Sequence, residues 1–177
     1  MLERFNLLIS TSRGNEQNAC QEAWYLLNEL GDKNPDVDVT PAVGLVMAYT
    51  SIEPLEATSK LRDVLKNKPW ELRYILKITP IEQVVRADLA EIAKFSHELA
   101  GKIGADESYR VTVRKRHSKL RTKDVVDAAA AEIDRKVDLE NQDKILLIEV
   151  ISDVAGLSVL SPNGTLAVEK ERRTLRH

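Results

Sequence analysis

Apolar and polar positions along this chain switch between two periods, and the switches mark its elements. Residues 5–10 (FNLLIS) form a short apolar run that predicts a strand. Residues 11–15 (TSRGN) are turn chemistry, with Asn15 placed to cap a helix. Ala19, Cys20, Ala23, Trp24, Leu27 and Leu30 then recur at helical spacing as far as Gly31. Residues 37–40 and 44–50 predict two strands joined around Pro41-Ala42-Val43-Gly44. Pro54 suits the first turn of a second helix with Leu55, Leu61, Val64 and Leu65 inward, and Asn67-Lys68-Pro69 breaks it. Residues 72–79 (LRYILKIT) read as another strand.

The order strand–helix–strand–strand–helix–strand over residues 5–80 is that of a ferredoxin-like unit. A second half begins near Ile81. Asp88 with Glu91 resembles a capping box, and Leu89, Ile92, Ala93, Ser96, Leu99, Ala100 and Ile103 form the stripe of a helix closed by Gly101 and Gly104. From Tyr109 to Arg114 apolar and polar residues alternate. Val111 and Val113 point to a core, while Arg110, Thr112, Arg114 and Arg116 share the other face. Thr122 is placed to cap a helix over residues 123–133, with Val125, Val126, Ala129, Ala130 and Ile133 inward. Residues 144–150 and 156–160 predict two strands, the first too apolar at Leu146-Leu147-Ile148 to alternate and therefore covered on both faces. A strand, a crossover helix and a further strand predict parallel pairing of 109–116 with 144–150. The expected fold class is α/β (α+β). A ferredoxin-like domain over residues 1–67 is followed by a domain over residues 68–177 with a mainly parallel sheet and flanking helices. Residues 169–177 read as a polar tail.

Charge changes the picture at one place. Between Arg110 and Lys123 stand seven Lys or Arg and no acid. A helix start already carries about half a positive unit charge, and chains normally place Asp or Glu there. Here Lys119, Arg121 and Lys123 crowd that end, with only Asp124 opposing them. Backbone N–H groups, the dipole and fixed cations together suit a phosphate. A solvated basic turn is the plainer reading of any charge run.

The 177 residues allow one domain or two small ones. The net charge of −2 argues against a polycation that sticks to nucleic acid over its whole surface, so the local cluster predicts one oriented site. Residues 1–67 are acidic, with 6 Lys and Arg against 10 Asp and Glu. A single cysteine excludes an internal disulfide, and no disulfide-linked partner is expected. The first ten residues carry charges where a signal peptide needs an apolar run, and the apolar region 145–160 is broken by Glu149 and Asp153. A cytoplasmic protein with no membrane contact is expected.

Catalytic signatures are missing. Gly101-Lys102-Ile103-Gly104 lacks the upstream glycine and the following Ser or Thr of a P-loop. It matches the G-x-x-G of a KH loop, but that loop joins two helices and a strand follows here, which favours a helix C-cap. Cys20 lies on an apolar helix face and reads as core filler. His97 reads as solvated, His177 is terminal, and His117 sits in the basic loop with no second ligand for a metal. Asp124, Asp127 and Asp134 fall on an exposed helix face. Trp24 and Trp70 sit at core or boundary positions, and no row of exposed aromatics suited to stacking bases is visible. No metal, cofactor or catalytic residue is expected, and the chain is not expected to be an enzyme.

The second half is similar to a known family. The strand and basic loop VTVRKRHSKLR, the helix with Asp124-Val125-Val126 and a small-residue run, and KVDLENQDKILLIEVISDVAGLSVLSP together resemble the THUMP domain, an RNA-binding module of tRNA-modifying enzymes. The segment from Lys136 to Glu140, the apolar strand after it, Val154-Ala155-Gly156 and Ser158-Val159 are its most specific part. The resemblance covers about residues 68–160 and implies a ferredoxin-like domain before it. Because the sequence ends after the last THUMP-like strands, it looks like the stand-alone THUMP proteins that present tRNA to a separate cytidine acetyltransferase forming N4-acetylcytidine. The resemblance implies that Arg114, Lys115, Arg116, His117, Lys119, Arg121 and Lys123, together with Arg110, meet the acceptor end of tRNA. Other readings stay open: an RNA-binding partner of a methyltransferase, thiolation or pseudouridylation enzyme, an enzyme acting on a small phosphorylated molecule, or a protein-interaction subunit. On the tRNA reading, replacing Arg114, Arg116 and Arg121 with Ala is expected to flatten the salt dependence of binding and leave the melting temperature nearly unchanged.

Overall fold

The computed structural model describes residues 1–176; His177 lies outside the described residues. The chain divides into two compact units, one of residues 1–81 with 164–176 and one of residues 82–163. The division therefore falls at 81/82, and not at 67/68.

The first unit follows the order read from the sequence. Strand β1 (Leu7–Ser10) leads to helix α1 (Glu16–Glu29), strands β2 (Asp36–Val39) and β3 (Leu45–Tyr49), helix α2 (Pro54–Asn67) and strand β4 (Lys77–Pro80). The sheet order β4-β1-β3-β2, all antiparallel, is ferredoxin-like. The strand Leu166–Ala167 and the helix Val168–Leu175 return to this unit, the strand pairing antiparallel with β4 at Leu166↔Ile78 and Ala167↔Lys77. That return, and the pairing of β4 with β1, place residues 68–81 and 164–176 here.

Side chains explain where the elements differ from the periodicity. Residues 72–76 do not join β4, because the Glu22 carboxylate accepts the backbone N–H groups of Arg73 at 2.7 Å, Tyr74 at 3.0 Å and Ile75 at 2.8 Å. Those donors are unavailable to a sheet ladder. The buried stripe of α1 is Ala19, Ala23, Leu26 and Leu27. Trp24 therefore lies outside the core at 43% exposure, and Trp70 is 66% exposed. Helix α2 starts at Pro54, with the Glu53 carboxylate accepting from the N–H groups of Leu55 and Glu56. It buries Ala57, Thr58, Leu61 and Leu65, and leaves Leu55 exposed.

The second unit opens with a strand absent from the sequence expectation, β5 (Gln83–Arg86). It continues with helix α3 (Leu89–Leu99), strand β6 (Ser108–Arg116), helix α4 (Thr122–Ala130), and strands β7 (Lys136–Val137), β8 (Lys144–Ile151) and β9 (Val154–Leu160). The returning strand and helix of the first unit are β10 and α5. The sheet order is β5-β9-β8-β6-β7. β6 pairs parallel with both β8 and β7, as expected for the first, while β9 pairs antiparallel with β8 and β5. The sheet is thus mixed: a two-residue turn after Ile151 can only send β9 back antiparallel. Ile92, Val125, Ala129 and Ile133 pack with Leu146, Ile148, Val150, Leu157 and Val159 in one core. Along β8 the residues of both parities are buried, from Leu146 to Ile151.

Candidate nucleic-acid interface

β5, β8 and β6 run in the same direction, so their C-terminal ends share one edge of the second unit's sheet. Ligands of parallel sheets gather outside such ends, where connections to helices begin. Two helices start there, and they start differently. α3 has Asp88 at its N-cap, whose carboxylate accepts the Glu91 N–H at 2.7 Å. α4 has Arg121 at its N-cap and no side-chain cap, so Thr122 moves inside the helix as its first residue. The free N–H groups of α4 therefore meet cations instead of a carboxylate.

The connection between β6 and α4 is a short, ordered turn. His117 takes φ of 55°, in the left-handed region that non-glycine residues enter at turns and functional sites. The Ser152 N–H donates to the Arg116 carbonyl at 3.0 Å, tying the β8–β9 turn to the end of β6. The Lys115 ammonium donates to the Leu120 carbonyl at 2.7 Å, and the Ser118 hydroxyl accepts the Leu120 N–H at 3.2 Å. A carbonyl is no counter-ion, and Lys115 makes no ion pair among the described residues.

The eight residues singled out in the sequence do not form one set. Lys115, His117, Lys119, Arg121 and Lys123 are exposed around the turn and the start of α4. Among the described residues the ion pair they make is Arg121 with Asp124, 3.9 Å apart with both side chains well exposed, a pairing that offsets little in water. Arg114 and Arg116 are half-buried and tied to a carboxylate. Arg116 Nη1 lies 2.9 Å from Glu149 Oε2, and Arg114 Nη1 lies 3.6 Å from Glu149 Oε1. Glu149 is 2% exposed. Arg110 belongs elsewhere. Six residues of strand separate it from Arg116, roughly 20 Å, and its guanidinium donates to the Leu139 carbonyl at 2.9 Å.

Arg86 joins the set without having been foreseen. It ends β5 at the same sheet edge, its side chain is 80% exposed, and it stands 3.7 Å from Asp88. The sequence signal for it is weak, because a four-residue strand can be recognised only through its partner β9. Among the described residues, no group of three or more His, Cys, Asp or Glu is placed to hold a metal ion, and no helix is long and apolar enough to cross a membrane.

The mixed sheet with its basic β6–α4 turn belongs to a module of known sequence pattern. Residues 86–160 match the family described as THUMP domain, and the chain carries that domain there. Among solved structures, the PH1313 protein of Pyrococcus horikoshii is similar with a TM-score of 0.62 and 18% identity, over 88% of this chain and 54% of that one. A 4-thiouridine synthetase, solved with RNA and bound ATP, has a TM-score of 0.59 and 16% identity, over 88% of this chain and 41% of that one. TrmN from Thermus thermophilus has a TM-score of 0.50 and 18% identity, over 86% of this chain and 44% of that one. This chain spans about half the length of these proteins or less, and the likeness at such identities is one of fold. A search of curated proteins gave no match.

Proposed function

We propose that this chain is a non-catalytic tRNA-binding protein that presents tRNA to a modifying enzyme. The observation that carries the reading is the turn after β6. Lys115, Lys119, Arg121 and Lys123 surround an uncapped helix start and have no strong carboxylate partner there. Fixed cations around free backbone N–H groups fit the phosphates of a nucleic acid strand. The turn lies inside the THUMP domain, and a protein of similar fold, the 4-thiouridine synthetase, was solved with RNA. On this reading the acceptor end of tRNA meets Lys115, His117, Lys119, Arg121 and Lys123, with Arg114 and Arg116 supporting the strand beneath them. The partner we propose is a tRNA cytidine acetyltransferase forming N4-acetylcytidine, on the sequence resemblance to stand-alone THUMP proteins.

The test is a gel-shift of the purified chain against tRNA with and without its 3′ end, repeated over a range of salt. Binding that weakens steeply with salt and drops when the 3′ end is removed supports the reading. A salt-independent or absent shift overturns it. The partner is tested separately, by whether the chain stimulates acetylation of tRNA by the enzyme; stimulation of a methyltransferase or thiolation enzyme instead would reassign it.

A further inference from the structure

A broad cavity of the first unit has no part in the site above. It measures about 590 Å³ and is lined by Lys66, Pro69, Trp70, Arg73, Arg172 and Arg176, among others. Three sequence segments meet there: the end of α2, the tight turn at Pro69–Glu71, and α5. Arg172 builds the wall. Its guanidinium donates to the Pro69 carbonyl at 2.8 Å and to the Leu72 carbonyl, and stands 3.3 Å from the Glu169 carboxylate. Lys66, Arg73 and Arg176 are exposed and make no ion pair among the described residues.

Helix ends explain part of this arrangement. Lys66 sits in the last turn of α2 and Arg176 at the C-cap of α5, where the dipole favours a cation. They do not explain Arg73, which belongs to no helix, or an indole left 66% exposed beside it. The Glu22 carboxylate is already engaged by the backbone N–H groups of residues 73–75, so it is spent on the main chain and not on the Arg73 side chain. The Arg73 guanidinium does stand 5.9 Å from the centre of the Tyr74 ring, a contact that leaves its charge without a counter-ion. An exposed indole with three cations around it that make no ion pair among the described residues suits a flat base that stacks and a phosphate that pairs.

We propose that this cavity binds a nucleotide unit, its base against Trp70 and its phosphate between Lys66, Arg73 and Arg176. A free nucleoside 5′-phosphate and a nucleotide within a single strand present the same groups.

The chain has two tryptophans, so a Trp24→Phe variant of the full chain leaves Trp70 as its only indole. Its fluorescence is titrated with adenosine 5′-monophosphate, adenosine, inorganic phosphate and a short oligoadenylate. The expected result is saturable quenching by adenosine 5′-monophosphate. Adenosine and phosphate alone should bind about tenfold or more weakly, since each offers one of the two contacts. Lys66→Ala with Arg73→Ala should cost about tenfold in affinity with only a small drop in melting temperature, because both side chains are exposed and Lys66 adds no more than a helix-end charge. Oligoadenylate binding more tightly than the mononucleotide assigns the site to a strand, and the reverse assigns it to a free nucleotide. No quenching, equal affinity for phosphate and nucleotide, or indifference to the double substitution overturns the proposal. Replacing Lys119 and Arg121 with Ala should leave the quenching intact. Loss of tRNA binding in that variant with quenching retained separates the two sites, and tRNA binding without any quenching in the parent sinks this one alone.

Discussion

Arg116 donates to Glu149 at 2.9 Å across two parallel strands, and the acceptor is one of the few buried carboxylates of the protein. The register pairs Arg114 directly with Glu149, so a single acid serves two guanidinium groups on one sheet face. This divides the basic stretch into cations that hold the strand and cations that face outward.

The first prediction rests on that division. Glu149→Gln should destabilise the protein by about 2–3 kcal/mol, less than the full cost of breaking a buried pair because both arginines are partly exposed. Asp124→Asn, at an exposed pair, should change stability by less than about 0.5 kcal/mol. Urea unfolding of both variants measures the contrast, and equal effects would refute it.

The outward cations predict a binding phenotype without a folding one. Replacing Lys119, Arg121 and Lys123 with Ala should reduce the log–log salt slope of tRNA binding by about 2–3 and leave the melting temperature in place. Arg114→Ala with Arg116→Ala should lower the melting temperature, because it leaves Glu149 buried without a partner. The sequence expectation that Arg114 and Arg116 are thermally silent is replaced by this one.

Asp32 gives the acid limb of stability. Burial pushes its carboxyl up, but hydrogen bonds outweigh burial and hold it below the usual carboxylate range. The donors are the Thr50 hydroxyl at 2.7 Å and the N–H groups of Ser51 at 3.0 Å and Asn34 at 3.2 Å. A carboxyl lowered by folding stabilises the native state above its unfolded pKa, about 3.9, and that contribution disappears as pH falls through the folded value. Asp32→Asn should lower the melting temperature at pH 7 and make it fall less steeply between pH 5 and pH 2. Parallel curves for the two proteins would contradict this assignment.

Two glycines should respond in opposite ways to alanine. A Cβ at Gly44 would lie 2.7 Å from the Thr11 carbonyl oxygen, and φ there is 73°. Gly44→Ala should cost about 2–3 kcal/mol. At Gly101 a Cβ meets nothing within 4 Å and φ is ordinary, so Gly101→Ala should be neutral or stabilise by up to about 1 kcal/mol. Thermal melts of the two variants distinguish them.

The sequence was most legible where local pattern and topology agree. Alternation at Tyr109–Arg114 and the helical spacing from Val125 announce a strand, a crossover and a parallel partner, and the register of β6 with β8 bears this out. Long-range partners were harder to read. Residues 72–76 carry a strand-like sequence, yet a carboxylate some fifty residues earlier takes their N–H groups, and only Ile78 and its neighbours enter the sheet. Glu149 is a different case: as the only charge among residues 145–152, on a strand expected beside Arg114, it could have been recognised as their counter-ion. The outward rotation of Trp24 was not legible, since α1 offers apolar residues on two adjacent stripes and the sheet chooses between them.

The strand at Leu166–Ala167 covers the outer edge of β4, although some eighty residues separate the two in the chain. A ribosome therefore releases the first four strands well before their last neighbour exists. Until it arrives, β4 offers bare amides and carbonyls to any passing extended segment. Truncating this chain before residue 164 should accordingly yield a product that self-associates, even with every residue of the THUMP match retained.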